Sequence, residues 1–127
     1  MKIIGATLLA LLALSAGGCS FFDTPSAVVK KFYERVEAGK VNDAYELITL
    51  EGKAMLRSFG GPVNALSSMT KKIKAKGGIK SINIQSEEVT GDMAEVVFSL
   101  AFGDGTMENN SDKLIKEEGA WKIAIRK

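Results

Sequence analysis

Residues 93–102 read Met93-Ala94-Glu95-Val96-Val97-Phe98-Ser99-Leu100-Ala101-Phe102, and the fold class follows from their alternation. Ala94, Val96, Phe98, Leu100 and Phe102 recur with period two, which builds one apolar face of a β-strand. Val97 and Ala101 make the opposite face partly apolar too. Such a strand suits a sheet covered by helices on one side and partly by a partner on the other. Outward from this segment, Thr90-Gly91-Asp92 reads as a turn, preceded by alternating Ile82 and Ile84. On the other side Gly103-Asp104-Gly105 turns the chain. A polar segment through Asp112 then leads into Leu114 and Ile115, and Glu118-Gly119 turns into a last strand with Trp121, Ile123 and Ile125 on one face. The expectation is an antiparallel meander of about four strands.

Ahead of the strands the period is helical. Thr24-Pro25 is an N-cap with proline in the first turn, and Val28, Val29, Phe32 and Val36 share one face until Gly39, which predicts a helix over about 25–38. Asn42 is the expected cap of a short second helix with Ala44, Tyr45, Leu47 and Ile48 on its apolar side. Ala54 to Phe59 adds another turn or two. After Gly60-Gly61, Pro62 restarts the chain, and Val63, Leu66, Met69 and Ile73 form a third stripe ending before Gly77-Gly78. Helices followed by a meander make an α+β domain, with N-terminal helices packed on an antiparallel sheet.

Four segments together resemble one family: Thr24 to Tyr33, the Gly39 to Tyr45 turn, the Val89 to Val96 hairpin, and the closing Glu118-Gly119-Ala120-Trp121-Lys122-Ile123. They are similar to the small bacterial lipoprotein domain of unknown function within the nuclear transport factor 2-like, or SnoaL-like, superfamily. The resemblance spans about Thr24 to Ile125. It implies a cone, a curved sheet wrapped around a long N-terminal helix with a cavity between them. Phe32, Tyr33, Tyr45, Val96, Phe98, Leu100, Trp121 and Ile123 are the candidate lining residues of that cavity. Aromatic residues at these periods also serve as plain core.

The N-terminus carries a separate signal. Lys2, an apolar stretch from Ile3 to Leu14, and Ser15-Ala16-Gly17-Gly18 before Cys19 have the layout of a secretory signal. The apolar stretch is about 12 residues, short of the roughly 20 that cross a bilayer. Small residues before a cysteine resemble a lipobox, although Ala16 stands where leucine is commoner. The expectation is a signal peptide over 1–18, a lipid-modified Cys19 with a short tether over 19–23, and the cone domain over 24–127. The other reading is an ordinary secretory signal with an incidental cysteine. Ser20 stands where aspartate signals inner-membrane retention in Gram-negative lipoproteins, so the resemblance favours the outer membrane, facing the periplasm. Phe21 and Phe22 fit either a membrane interface or packing on the first helix.

Composition restricts the chemistry. Of 127 residues, 46% are hydrophobic and 25% charged, as expected for one globular domain rather than a disordered chain. Seventeen Lys and Arg against fifteen Asp and Glu give +2, and removing Lys2 leaves +1, so nothing points to nucleic acid. There is no His, and Cys19 is the single Cys, which excludes imidazole and thiolate metal sites from the mature domain. No cofactor is expected. In the ketosteroid-isomerase-like relatives that the resemblance brings in, a Tyr donor and Asp groups act in an apolar cavity. Tyr33 is the candidate donor, while Asp43, Asp92 and Asp104 fall at a helix start or in turns. No catalytic residue is assigned.

Two charged features have two readings each. Lys71, Lys72, Lys74, Lys76 and Lys80 could meet anionic headgroups, or simply offset a helix dipole. Asp104, Glu108, Asn109, Asn110 and Asp112 offer oxygens to calcium without EF-hand spacing, or form a solvated loop. Asn109-Asn110-Ser111 matches a glycosylation sequon, idle behind a bacterial lipoprotein signal. The functional expectation is a lipid-anchored cell-envelope binding or interaction module of unknown ligand, with a small apolar molecule as one candidate. Its alternatives are a small-molecule isomerase or dehydratase and a structural homodimer formed through the exposed sheet face.

Overall fold

The computed structural model describes residues 23–125. The expected signal peptide, Cys19, Phe21 and Phe22 lie outside the described residues. Four helices precede four strands: α1 Pro25–Glu37, α2 Val41–Tyr45, α3 Leu50–Ser58, α4 Pro62–Ala75, β1 Ile79–Thr90, β2 Met93–Phe102, β3 Met107–Glu117 and β4 Ala120–Ala124. The strands form one antiparallel sheet in the order β1-β2-β3-β4, so the α+β expectation holds.

Helix α1 forms where the sequence places it. The Thr24 side-chain oxygen accepts from the Ala27 N–H at 3.1 Å, and Pro25 needs no partner for an amide it lacks. Val28, Val29, Phe32, Tyr33 and Val36 are buried against the concave face of the sheet, which offers Ala94, Val96, Phe98, Leu100 and Phe102. The far ends of α1 are tied down by carboxylates. Glu87 of β1 accepts from the Ser26 N–H at 2.9 Å and from its hydroxyl at 2.6 Å. Glu37 accepts from the Ile79 N–H at 2.8 Å, joining the helix C-terminus to the start of β1.

The structure departs from the sequence reading in five places. Asn42 is not a cap: the helix begins at Val41 behind Lys40, and Asn42 is an exposed residue inside it. Leu47 and Ile48 are not helical. They run beside β4 as a short parallel strand, with the Ile123 N–H donating to Leu47 at 2.7 Å and the Thr49 N–H donating to Ile123 at 3.0 Å. This covers the edge of β4 with main-chain hydrogen bonds. Helix α3 starts earlier than Ala54, because buried Thr49 caps it by accepting from the Gly52 N–H at 3.0 Å. Val63 is exposed, so the α4 stripe begins at Leu66.

The largest difference is β3. The polar segment before Leu114 is itself strand from Met107, paired residue by residue with β2. Pairing is a main-chain property, and β4 reaches only to Lys113, so the first half of β3 is a solvated edge that accommodates polar side chains.

Helix α4 packs mainly on the other helices rather than on the sheet. Buried Thr70 donates to the Val36 carbonyl at 2.6 Å. Its C-terminal end is fastened to the β2–β3 turn, where the Gly103 and Asp104 N–H groups donate to the Gly78 and Lys76 carbonyls, each at 2.9 Å. The backbones touch closely enough that a Cβ on Gly103 would overlap the Gly77 carbonyl oxygen. Gly103→Ala should therefore cost about 1–3 kcal/mol by overpacking a backbone contact. Urea denaturation checks this, and an unchanged midpoint would show that the two loops can separate freely.

Candidate functional site

Residues directly opposite in an antiparallel pair share a face. Ala94 pairs with Leu114, Val96 with Asp112, Phe98 with Asn110 and Leu100 with Glu108. The alternation therefore aims Glu108, Asn110 and Asp112 at the concave side, beside the apolar face of β2. Asn109, Ser111 and Lys113 face the convex side. The set read as an oxygen-ligand cluster is thus divided between two faces, and no metal-holding group of three acidic, His or Cys residues occurs among the described residues. Asp104 stays in the turn, where Thr106 donates through its hydroxyl at 2.6 Å and its N–H at 2.9 Å. Those hydrogen bonds, the hydroxyl's first, hold the Asp104 carboxyl below its usual pKa.

Between α4 and the concave face lie two clefts that share Tyr33 and Met69. The first, about 410 Å³, is lined by Ile73, Leu100 and Phe102, with Glu108 and Asn110 on one wall and Lys72 and Lys76 on the other. The second, about 480 Å³, is lined by Phe32, Leu56, Leu66, Ile123 and Ile125 together with Asp112. Both volumes fall in the range of small-molecule sites, roughly 300–1,000 Å³.

Tyr33 divides the clefts. Its ring meets Phe32 edge-on at 5.3 Å and Phe98 at 5.4 Å, which locks the side chain between helix and sheet. The residue is 9% exposed, and none of the described residues hydrogen-bonds its hydroxyl. Burial, then the negative charge of Asp112, then that of Glu108 push the hydroxyl pKa well above its ordinary value. Tyr33 is therefore a neutral donor throughout the physiological range.

The other expected lining residues separate into three groups. Leu100 borders the first cleft, and Phe32 and Ile123 border the second. Val96 and Phe98 are fully buried beneath them as core. Trp121 is 6% exposed on the same face of β4 as Ile123, with the Lys116 ammonium 5.1 Å above its ring. Tyr45 lies away from both clefts: the Arg57 guanidinium donates to its hydroxyl at 2.6 Å and the Lys53 ammonium lies 5.3 Å from its ring. It belongs to the α2–α3 contact, because Leu47 and Ile48 leave the helix for the sheet edge. Glu108, Asn110 and Asp112 were not among the expected lining residues. Their signal was a period of two running on from Leu114, hidden by polarity.

Residues 18–124 match the family described as "Domain of unknown function (DUF4878)". No curated protein matches the sequence. Among solved structures, a Campylobacter jejuni crystal structure whose name assigns it as an NTF2-like transpeptidase is similar, with 19% identity and a TM-score of 0.70 over 82% of this chain and 100% of that one. The solution structure of a SEC-C motif containing protein from Rhodopseudomonas palustris has 14% identity and a TM-score of 0.60, over 91% of this chain and 83% of that one. At such identities the likeness is one of fold, and the fold is NTF2-like.

The raised Tyr33 pKa sets a stability window. The folded state keeps the phenolic proton to higher pH than the unfolded chain, so this contribution is intact below about pH 10 and declines above it by about 1.4 kcal/mol per pH unit. Tyr33→Phe should remove that decline. Denaturation midpoints of both proteins between pH 8 and about 11 check it, and parallel curves would place the hydroxyl in solvent.

Proposed function

This chain belongs to the DUF4878 family, and we propose that it is a lipid-anchored, small-molecule-binding module of the cell envelope, using the clefts around Tyr33. The carrying observation is the pair of apolar clefts meeting at the buried Tyr33, whose hydroxyl has no hydrogen-bond partner among the described residues. A few fixed polar groups in an otherwise apolar concavity are the usual form of a ligand site. The anchoring half rests on Lys2, the apolar run and Ala16-Gly17-Gly18-Cys19. Two or three acyl chains on Cys19 would make release from the membrane negligible, since each buried methylene contributes about 0.8 kcal/mol. Ser20 after the cysteine supports an outer-membrane, periplasm-facing address by resemblance.

Isomerase or dehydratase chemistry is the second reading, favoured by Tyr33 facing Asp112 and Glu108. The negative charge that Asp112 and Glu108 bring to bear on Tyr33 opposes the build-up of an oxyanion there, since like charges repel most strongly where water is excluded. Binding without turnover fits that field better.

Two measurements test the proposal. Cys19→Ser should leave an unlipidated, unprocessed precursor, and mass spectrometry of membrane fractions reads the difference. Wild-type protein free in the periplasm with an unmodified thiol would end the anchoring claim. Native mass spectrometry of protein from its own host should show a non-covalent small-molecule mass. Met69→Trp, which fills the space common to both clefts, should lose it. A bare polypeptide mass from the wild type would count against the binding reading.

A further inference from the structure

We propose that the first cleft takes an apolar molecule bearing a single carboxylate, its head between the Lys72 and Lys76 ammonium groups and its apolar part on Met69, Ile73, Leu100 and Phe102. This rests on the cone being a ligand site and names the ligand's chemistry. The arrangement begins in the sequence of α4. Positions 69, 72, 73 and 76 are spaced three and four apart, so Met69, Lys72, Ile73 and Lys76 share one face of the helix and its cap. All four line the first cleft, whereas Lys71 and Lys74 do not. Buried Ile73 and half-buried Met69 meet Leu100 and Phe102 of the concave sheet face, and the two lysines border that apolar floor.

Fixed charge selects the ligand. The Lys76 carbonyl accepts from the Asp104 N–H at 2.9 Å, and the ammonium of this half-buried residue lies 4.8 Å from the Phe102 ring. The positive charge is thereby held at the edge of apolar surface, where solvent screens it less than in open water. Among the described residues neither Lys72 nor Lys76 makes an ion pair. Asp104 feels the Lys76 charge, but its carboxylate accepts from the Thr106 hydroxyl and N–H within its own turn. Glu108 on the opposite wall is exposed and accepts from the Asn110 side chain at 3.1 Å. Two cations against that one carboxylate leave the lining with an excess positive charge, which a monoanion neutralises. The last carbonyls of α4, whose partial charge would repel an anion, are already engaged: Ile73 and Lys74 accept from the N–H groups of Lys76, Gly77 and Gly78. A carboxylate therefore gains two ammonium donors, a neutral alcohol lacks the Coulombic part, and an amine meets like charge.

Phenylbutyrate, phenylbutanol and phenylbutylamine have nearly one shape and three charges, which makes them suitable probes. Each is titrated calorimetrically into the lipidated full chain in nanodiscs of zwitterionic lipid, with empty nanodiscs as the blank. Phenylbutyrate should bind about tenfold more tightly than the other two. Lys72→Gln combined with Lys76→Gln should bring it down to the alcohol's affinity while the melting transition remains cooperative. Lys71→Gln combined with Lys74→Gln removes the same charge from the same helix outside the cleft, where solvent screens it, and should change the affinity by less than about twofold. If the first pair of substitutions does not fold, Lys72→Gln alone, at an exposed position, decides the matter by a several-fold loss of carboxylate affinity. Equal losses in the two lysine pairs overturn the site in favour of a diffuse positive field. Equal binding of all three probes overturns the carboxylate assignment and leaves the cone as an apolar site, and tightest binding by the amine overturns it in favour of Glu108. No binding by any probe overturns it too, and the binding reading falls with it only if host-purified protein also carries no small molecule.

Discussion

The close contact of two glycine backbones, Gly77 and Gly103, sets the distance between α4 and the sheet. Without side chains at these positions the main chains can exchange hydrogen bonds directly, and the helix end is held at the lip of the sheet. Farther down, Thr70 bonds the α1 carbonyl of Val36, so α4 leans on α1 rather than collapsing on β2 and β3. A helix supported at its end and along one flank spans the concavity without filling it. The clefts are the consequence, and Tyr33 of α1 and Met69 of α4 line both of them.

Polarity on the inner face of β3 then decides what such a space can do. Leu114 completes the apolar floor, but the residues two, four and six positions before it are Asp112, Asn110 and Glu108. The apolar alternation of β2 is thus met by a polar alternation on its neighbour. Among the described residues β4 pairs β3 only as far as Lys113, and of these side chains Glu108 is exposed whereas Asn110 and Asp112 are half-buried.

Much of the fold was legible because periodicity and turn chemistry agreed. Thr24-Pro25, the β2 alternation and the Gly91, Gly103 and Glu118-Gly119 turns all lie where the pattern puts them, the last with positive φ at both residues, 50° and 83°. The failures share a cause. Leu47 and Ile48 were read from local pattern, whereas their conformation is set by the edge of β4, about 75 residues away in sequence by the separation of Ile48 and Ile123. β3 was hidden for the same reason, since its polar half is made a strand by β2 and not by its own hydrophobicity. The candidate site suffered accordingly. Tyr33 was visible as a lone donor on a core stripe, but its acidic neighbours could be found only after the register was known.

The long axis of the domain also bears on the lysine cluster. Helix α1, 13 residues and about 20 Å long, runs from the end where Ser26 meets Glu87 to the end where Glu37 meets Ile79. The chain enters at the first end, and Lys71, Lys72, Lys74, Lys76 and Lys80 gather at the second. With an anchor at Cys19, an upright domain would hold those lysines more than two screening lengths from its own entry point, since charge is screened over about 8 Å at physiological ionic strength. Attraction to headgroups is then weak. Lys72 and Lys74 occupy the last turn of α4, where they offset the helix dipole, and Lys72 and Lys76 border the first cleft. Lys72 and Lys76 thus charge one wall of the first cleft, near the end of α1 opposite the one where the chain enters.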